Sequence, residues 1–249
     1  MNPLSGVLGE AWQMYKAFAR HLLTIAFVIY LIAAVIAALL GLIGGVFGAL
    51  LGSVVGIVAA FLLQATLVKA VQDVRDGRVD LSLGETVRAA TPYLWRVTGA
   101  SILAGIAIAI GLVLIIVPGL FLITIWAVIV PVIVIEGAGV FACFGRSQQL
   151  VRGRGWNVFG TLVLVFLILL VVQFLLGLIF LALPYVWRSG LSSIIAGTLI
   201  APYLALVVTL VYYRLSATSP VPAAPGENYG GYGQTPLPAD RHSNERPAR

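Results

Sequence analysis

Few side chains in this sequence could do chemistry. Glu136 is a lone carboxylate at the end of a long apolar run, in PVIVIEG from Pro131 to Gly137. A carboxylate inside lipid is costly and marks a functional site by default. Glu136, however, is followed by Gly137 and Gly139 and falls at a span boundary. The favoured reading is therefore a structural partner for Arg146 or Arg152. Gln64 and Gln173 lie inside apolar runs, and an amide in lipid seeks a hydrogen-bond partner. Ties between helices are favoured there over substrate contacts. His21 and His242 have no carboxylate or cysteine at ligand spacing, and the single Cys143 cannot form an intramolecular disulfide. Asp73, Asp76 and Asp80 lack the closing glutamate of a calcium loop. Phosphate-binding loops, HExxH and GxSxG are all missing. The expectation is a protein that is not an enzyme and carries no cofactor or metal.

The elements that must hold these groups are organised around FGRSQQLVRGRGWNVFG, Phe144 to Gly160. Arg146, Gln149 and Arg152 form one polar strip of a short helix; Cys143, Ser147, Leu150 and Val151 form the apolar one. Arg152, Arg154 and Trp156 then make a basic and aromatic junction before a long apolar run. Leu8-Gly9-Glu10, Leu83-Gly84-Glu85 and Phe144-Gly145-Arg146 align without gaps, with Arg20, Trp95 and Trp156 ten residues after the last member of each. This register predicts a weak threefold repeat over residues 1–80, 81–138 and 139–215. Each unit reads as an amphipathic helix, a charged or aromatic junction and a hydrophobic hairpin.

Composition sets the class. Of 249 residues, 61% are hydrophobic and 10% charged, against about 25% charged in soluble domains. Residues 22–68 and 98–135 contain no charge, and each is long enough for two membrane helices. The first pair should turn near Gly41 to Gly45, the second at Pro118-Gly119. Gly44, Gly48, Gly52 and Gly56 recur at four-residue spacing and predict one smooth packing face. Ser82 and Glu85 form a candidate capping box, and Pro92 should bend or end that helix. Asp76-Gly77 is a turn signal. Val158 to Ala182 is a fifth span, ended by Pro184, Tyr185, Trp187 and Arg188, and Leu191 to Tyr213 is a sixth, kinked at Pro202. The N-terminal stretch does not read as a signal peptide. Residues 216–249 read as a disordered tail beyond an integral membrane domain of residues 1–215.

The fold expected is all-α and polytopic: six transmembrane helices with three amphipathic helices on the cytoplasmic face. Charge gives the orientation. Lys16, Arg20, Lys69, Arg75, Arg78, Arg88, Arg96, Arg146, Arg152, Arg154 and Arg214 fall on one side and Arg188 on the other. Excess Lys and Arg mark the cytoplasmic side, so both termini should be cytoplasmic. The net charge of +6 comes from these flanks and not from an aromatic-interleaved patch, so nucleic acid is not an expected partner.

PVIVIEG, RSQQLVRGRGW from Arg146 to Trp156, and APYLALVVTLVYYRL from Ala201 to Leu215 resemble the bacterial integral membrane domain fused to some glycerophosphoryl diester phosphodiesterases. Free-standing actinobacterial six-span proteins look similar. The resemblance spans about Glu85 to Leu215 and implies architecture and a place in the bacterial plasma membrane. It implies no activity here, because no phosphodiesterase domain is present in the sequence. Gln148 and Gln149 stand where such relatives carry an aromatic residue, and Arg214 where an acidic one is common. The expected function is non-enzymatic organisation of lipid or partner proteins at the cytoplasmic face. Expected partners are membrane lipids, anionic ones included, and a protein partner or a second copy of the chain. The alternative is a transporter or channel for a small or lipophilic solute.

Overall fold

The computed structural model describes residues 4, 6–75, 80–179 and 185–219, with backbone only for 185–193. The Asp76-Gly77 turn, Arg78, Pro184, the side chains of Tyr185, Trp187 and Arg188, and the expected disorder from Pro220 onward lie outside the described residues. Among them the chain is all helical: α1 (Val7–Val74), α2 (Leu83–Ala90), a 3-10 turn (Thr91–Tyr93), α3 (Leu94–Leu114), α4 (Ile116–Ile125), α5 (Ile129–Glu136), α6 (Ala142–Val151), α7 (Gly155–Ile179) and α8 (Tyr185–Ala217). Five helical stretches are long and apolar enough to cross a membrane.

The 68 residues of α1 would extend about 100 Å if straight, several times a bilayer's hydrocarbon core. They do not run straight. Gly45 takes φ 52° and ψ −128°, a backbone that glycine alone adopts readily, and the chain reverses there. Gly48 then meets Leu40, and Gly52 meets Ala37, across the hairpin. The reversal divides the expected glycine face. Gly44 precedes it, Gly48 and Gly52 are buried between the arms, and Gly56 has open space around it. A Cβ at Gly48 would collide with the Leu40 carbonyl oxygen and lie 2.6 Å from its carbonyl carbon. Because the obstruction is backbone, Gly48→Ala should destabilise the protein by about 1–3 kcal/mol. Gly56→Ala should be neutral or slightly stabilising. Thermal unfolding of the two variants in the same detergent checks the contrast, and equal shifts would refute this packing.

Breaks in helical geometry fall between the amphipathic segments and the apolar runs. Phe18 is non-helical (φ −113°, ψ 17°) and separates residues 7–17 from the apolar arm. The Thr91–Tyr93 turn, with Pro92 in it, separates α2 from α3. Arg152 (ψ 131°) and Gly153 (φ 80°) separate α6 from α7. Helix α2 begins at the capping box: Ser82 Oγ accepts from the Glu85 amide at 3.4 Å, and Glu85 Oε2 accepts from the Ser82 amide at 2.9 Å. The Ser82 hydroxyl also donates to this carboxylate, and together with the amide holds its pKa below the ordinary glutamate value.

The second hairpin differs from expectation. Its reversal is at Ile115, in extended geometry (φ −157°, ψ 133°), and not at Pro118-Gly119. Pro118 sits inside the first turn of α4, where the amide it lacks would have no partner in any case. Gly119 serves close packing instead: a Cβ at Gly111 would lie 3.1 Å from the Gly119 Cα. Pro131 belongs to the first turn of α5, and the helix is interrupted one turn earlier, between Trp126 and Val128. That is where a proline ring displaces the carbonyl four residues before it. Ser147 of α6 donates to the Ile125 carbonyl at 2.8 Å, and Trp126 meets Phe144 edge to face at 4.9 Å. Pro202 stays within α8, and Tyr15 donates from the first helix to the Leu199 carbonyl at 3.1 Å in the same turn region.

The most extensive packing joins α1 to α8. Leu22, Ile25, Leu63, Leu67, Leu206 and Leu215 are fully buried there. Along α7 only Val158, Thr161 and Val165 are buried, so most of that helix presents apolar side chains outward.

Candidate functional site

Glu136 ends α5, and Gly137, at φ 66°, turns the chain back so that α6 runs beside it. This reversal carries Arg146 to the carboxylate. Its Nε lies 2.8 Å from Oε2 and 3.1 Å from Oε1. From α8, the Tyr212 hydroxyl donates to Oε1 at 2.8 Å. Glu136 is 6% exposed at the side chain and Arg146 12%. The charge pair is thus close to neutral and largely removed from solvent. Such a pair adds little net stability over an apolar replacement but penalises the loss of either partner heavily. Arg96 of α3 donates to the Gly137 carbonyl at 2.6 Å, placing a cation at the C-terminal, negative end of the α5 dipole.

Further contacts gather on the last turns of α8. Arg214 pairs with Glu10 of α1. The Arg75 guanidinium sits 3.7 Å above the Tyr213 ring, and Arg154 donates to the Thr218 carbonyl at 3.2 Å. One polar belt therefore ties the ends of α1, α3, α5, α6 and α8 together. Arg152 is exposed and does not share in the Glu136 pair. Tyr212 is the partner that sequence reasoning missed; its only signal was a hydroxyl in the largely apolar VVTLVYY run, one that Thr209 and Tyr213 also carry.

The other candidates are dispersed. Gln64 and Gln173 are both exposed and lie apart, Gln64 at the edge of a cavity among α1, α5 and α8 and Gln173 on α7. Trp95 and Trp156 are 78% and 86% exposed at the junctions after α2 and α6. Burial pushes the Cys143 thiol up to about 11, which keeps it protonated and unreactive at neutral pH. Among the described residues no three His, Cys, Asp or Glu side chains gather as metal ligands.

Beside the junction a groove of about 740 Å³ opens between α4 and the start of α7. Val117, Leu120, Phe121 and Ile125 form its apolar wall, and Arg154, Trp156 and Asn157 its rim. Gly153, in left-handed geometry, turns the chain so that the rim sits over the wall.

No family model, curated protein or solved structure matches this chain. Its function must be argued from the belt, the groove and the exposed apolar helices.

Proposed function

We propose that the chain is a non-enzymatic membrane protein that organises anionic phospholipid, and through it partner proteins, at the cytoplasmic face of a bacterial plasma membrane. The observation that carries this reading is the groove between α4 and α7. Its wall is apolar, as an acyl chain requires, and its rim carries Arg154 and the exposed Trp156. Arg152 and Arg154 add positive charge at the same junction. A basic residue near an anionic surface contributes about 1 kcal/mol, and an exposed tryptophan suits the headgroup layer.

Six spans follow if the two arms of α1 each cross, since that helix reverses at Gly45 and four further stretches have spanning length. The breaks at Phe18, Thr91–Tyr93 and Arg152–Gly153 support three related units, each with an interfacial helix before its apolar hairpin. The likeness to the membrane domain of phosphodiesterase-linked proteins fits the same architecture. Transport of a solute would require the polar side chains to line one path. Instead Glu136 is occupied by Arg146 and Tyr212, while Gln173 faces outward.

The test is lipid-dependent stabilisation. Purified protein titrated with phosphatidylglycerol should unfold at a higher temperature than with equal phosphatidylcholine. Arg152→Gln with Arg154→Gln should weaken the phosphatidylglycerol effect by roughly ten- to thirtyfold in midpoint concentration. Indistinguishable responses to the two lipids, or an unaltered response in the double variant, would remove the basis for this function.

A further inference from the structure

A second, separate cavity, partly open at the side of the bundle, lies between the two arms of α1, the proline-containing start of α5, and α8. Its volume is about 340 Å³, within the range of small-molecule sites. The lining is almost entirely aliphatic. Tyr30, from the first arm, and Gln64, from the second, are the two lining residues with polar side chains. Neither has a hydrogen-bond partner among the described residues, and no charged group lines the space. In hydrocarbon, an unpaired amide or hydroxyl costs free energy until something fills its donor and acceptor positions.

We infer that this cavity binds an uncharged lipid-like molecule: an apolar chain or ring bearing one hydroxyl or carbonyl oxygen. The phenol and the amide can each donate and accept, so together they match a neutral oxygen function. With no cation or carboxylate in the lining, an ionised headgroup has nothing to pair with. The largely aliphatic lining is a poor environment for water, which needs two to four polar partners to stay. The backbone keeps the space open. A Cβ at Gly197 would lie 2.8 Å from the Tyr30 ring, so glycine there lets the ring rest on α8 instead of filling the cavity. Pro131 and the interruption at Trp126–Val128 prevent α5 from continuing as a regular helix along the remaining side. These residues are not those of the Arg154-rimmed groove, and the inference stands whether or not that groove binds phospholipid.

The probe is palmityl alcohol carrying a diazirine, photolysed with the full chain in phosphatidylcholine nanodiscs. Cross-links should map to peptides holding Tyr30, Gln64 and Leu204. Unlabelled palmityl alcohol should compete about tenfold better than hexadecane, because the alkane leaves both polar groups unpaired. Tyr30→Phe with Gln64→Leu should cut labelling by about tenfold, whereas Gln173→Leu, outside the cavity, should leave it unchanged. The wild-type protein alone can overturn the proposal. Competition by hexadecane equal to that by the alcohol, or labels spread over the outward faces of α7, would mean that no such site exists.

Discussion

Glu136→Ala is expected to destabilise the folded protein by about 3–5 kcal/mol, the loss seen when one member of a buried ion pair is removed. The alanine removes the carboxylate that faces the Arg146 guanidinium, whose side chain is only 12% exposed in the intact pair. It also removes the acceptor of the Tyr212 hydroxyl, which bridges to α8. The main penalty is the loss of the carboxylate facing a largely buried cation, so a second change should recover most of it. Glu136→Leu combined with Arg146→Met replaces the pair by apolar groups of similar length, and such replacements are often neutral. Tyr212→Phe removes one hydrogen bond to a charged group and should cost about 1.5–3 kcal/mol, less than the alanine. Thermal unfolding in one detergent, read by loss of the folded peak on size exclusion, orders the variants. If the double variant is as unstable as Glu136→Ala, the charge pair is not what holds α5, α6 and α8 together.

This cluster shows what could be read before any coordinates. Glu136 and Arg146 are ten residues apart with Gly137 and Gly139 just after the carboxylate, so a local reversal suffices to join them, and Arg146 was one of the two partners expected. Tyr212 is 76 residues from Glu136, and nothing in its own neighbourhood distinguishes it from a membrane-interface tyrosine. The capping box at Ser82 was legible because it is complete within four residues. Pro118-Gly119 misled because the pair has two uses. Proline is tolerated in a helix's first turn as well as in a hairpin, and Gly119 is needed for its missing side chain. The turn expected near Gly41 to Gly45 falls at Gly45, and the glycine spacing at 44, 48, 52 and 56 misled only in counting Gly44 with the arm that follows it. The groove and the cavity were illegible for a plainer reason: their walls come from segments far apart in sequence, and aliphatic residues lining a space read the same as those filling one.

Sidedness offers an all-or-none result. After Cys143→Ala, single cysteines at Ile43 and Ile116 should react in intact cells with an impermeant thiol reagent. Cysteines at Arg88 and Gln149 should react only after the membrane is opened. The positions are chosen for access. Ile43 is 86% exposed at the tip of the α1 hairpin and Ile116 67% beside the α3–α4 reversal. Arg88 and Gln149 are exposed on α2 and α6. Gly119 is unsuitable, because a side chain there would collide with Leu112. The expectation rests on the eleven basic residues, from Lys16 to Arg214, that the six-span reading of the sequence assigns to one side, against Arg188 on the other. Lys and Arg resist translocation, and retaining one face is far easier than exporting so many cations. The opposite pattern would invert the protein and put the Arg154-rimmed groove on the outer leaflet. Equal labelling of Ile43 and Gln149 in intact cells would be more damaging. Those positions belong to opposite ends of the bundle, and a six-span chain with both termini inside cannot place them on one face of the membrane.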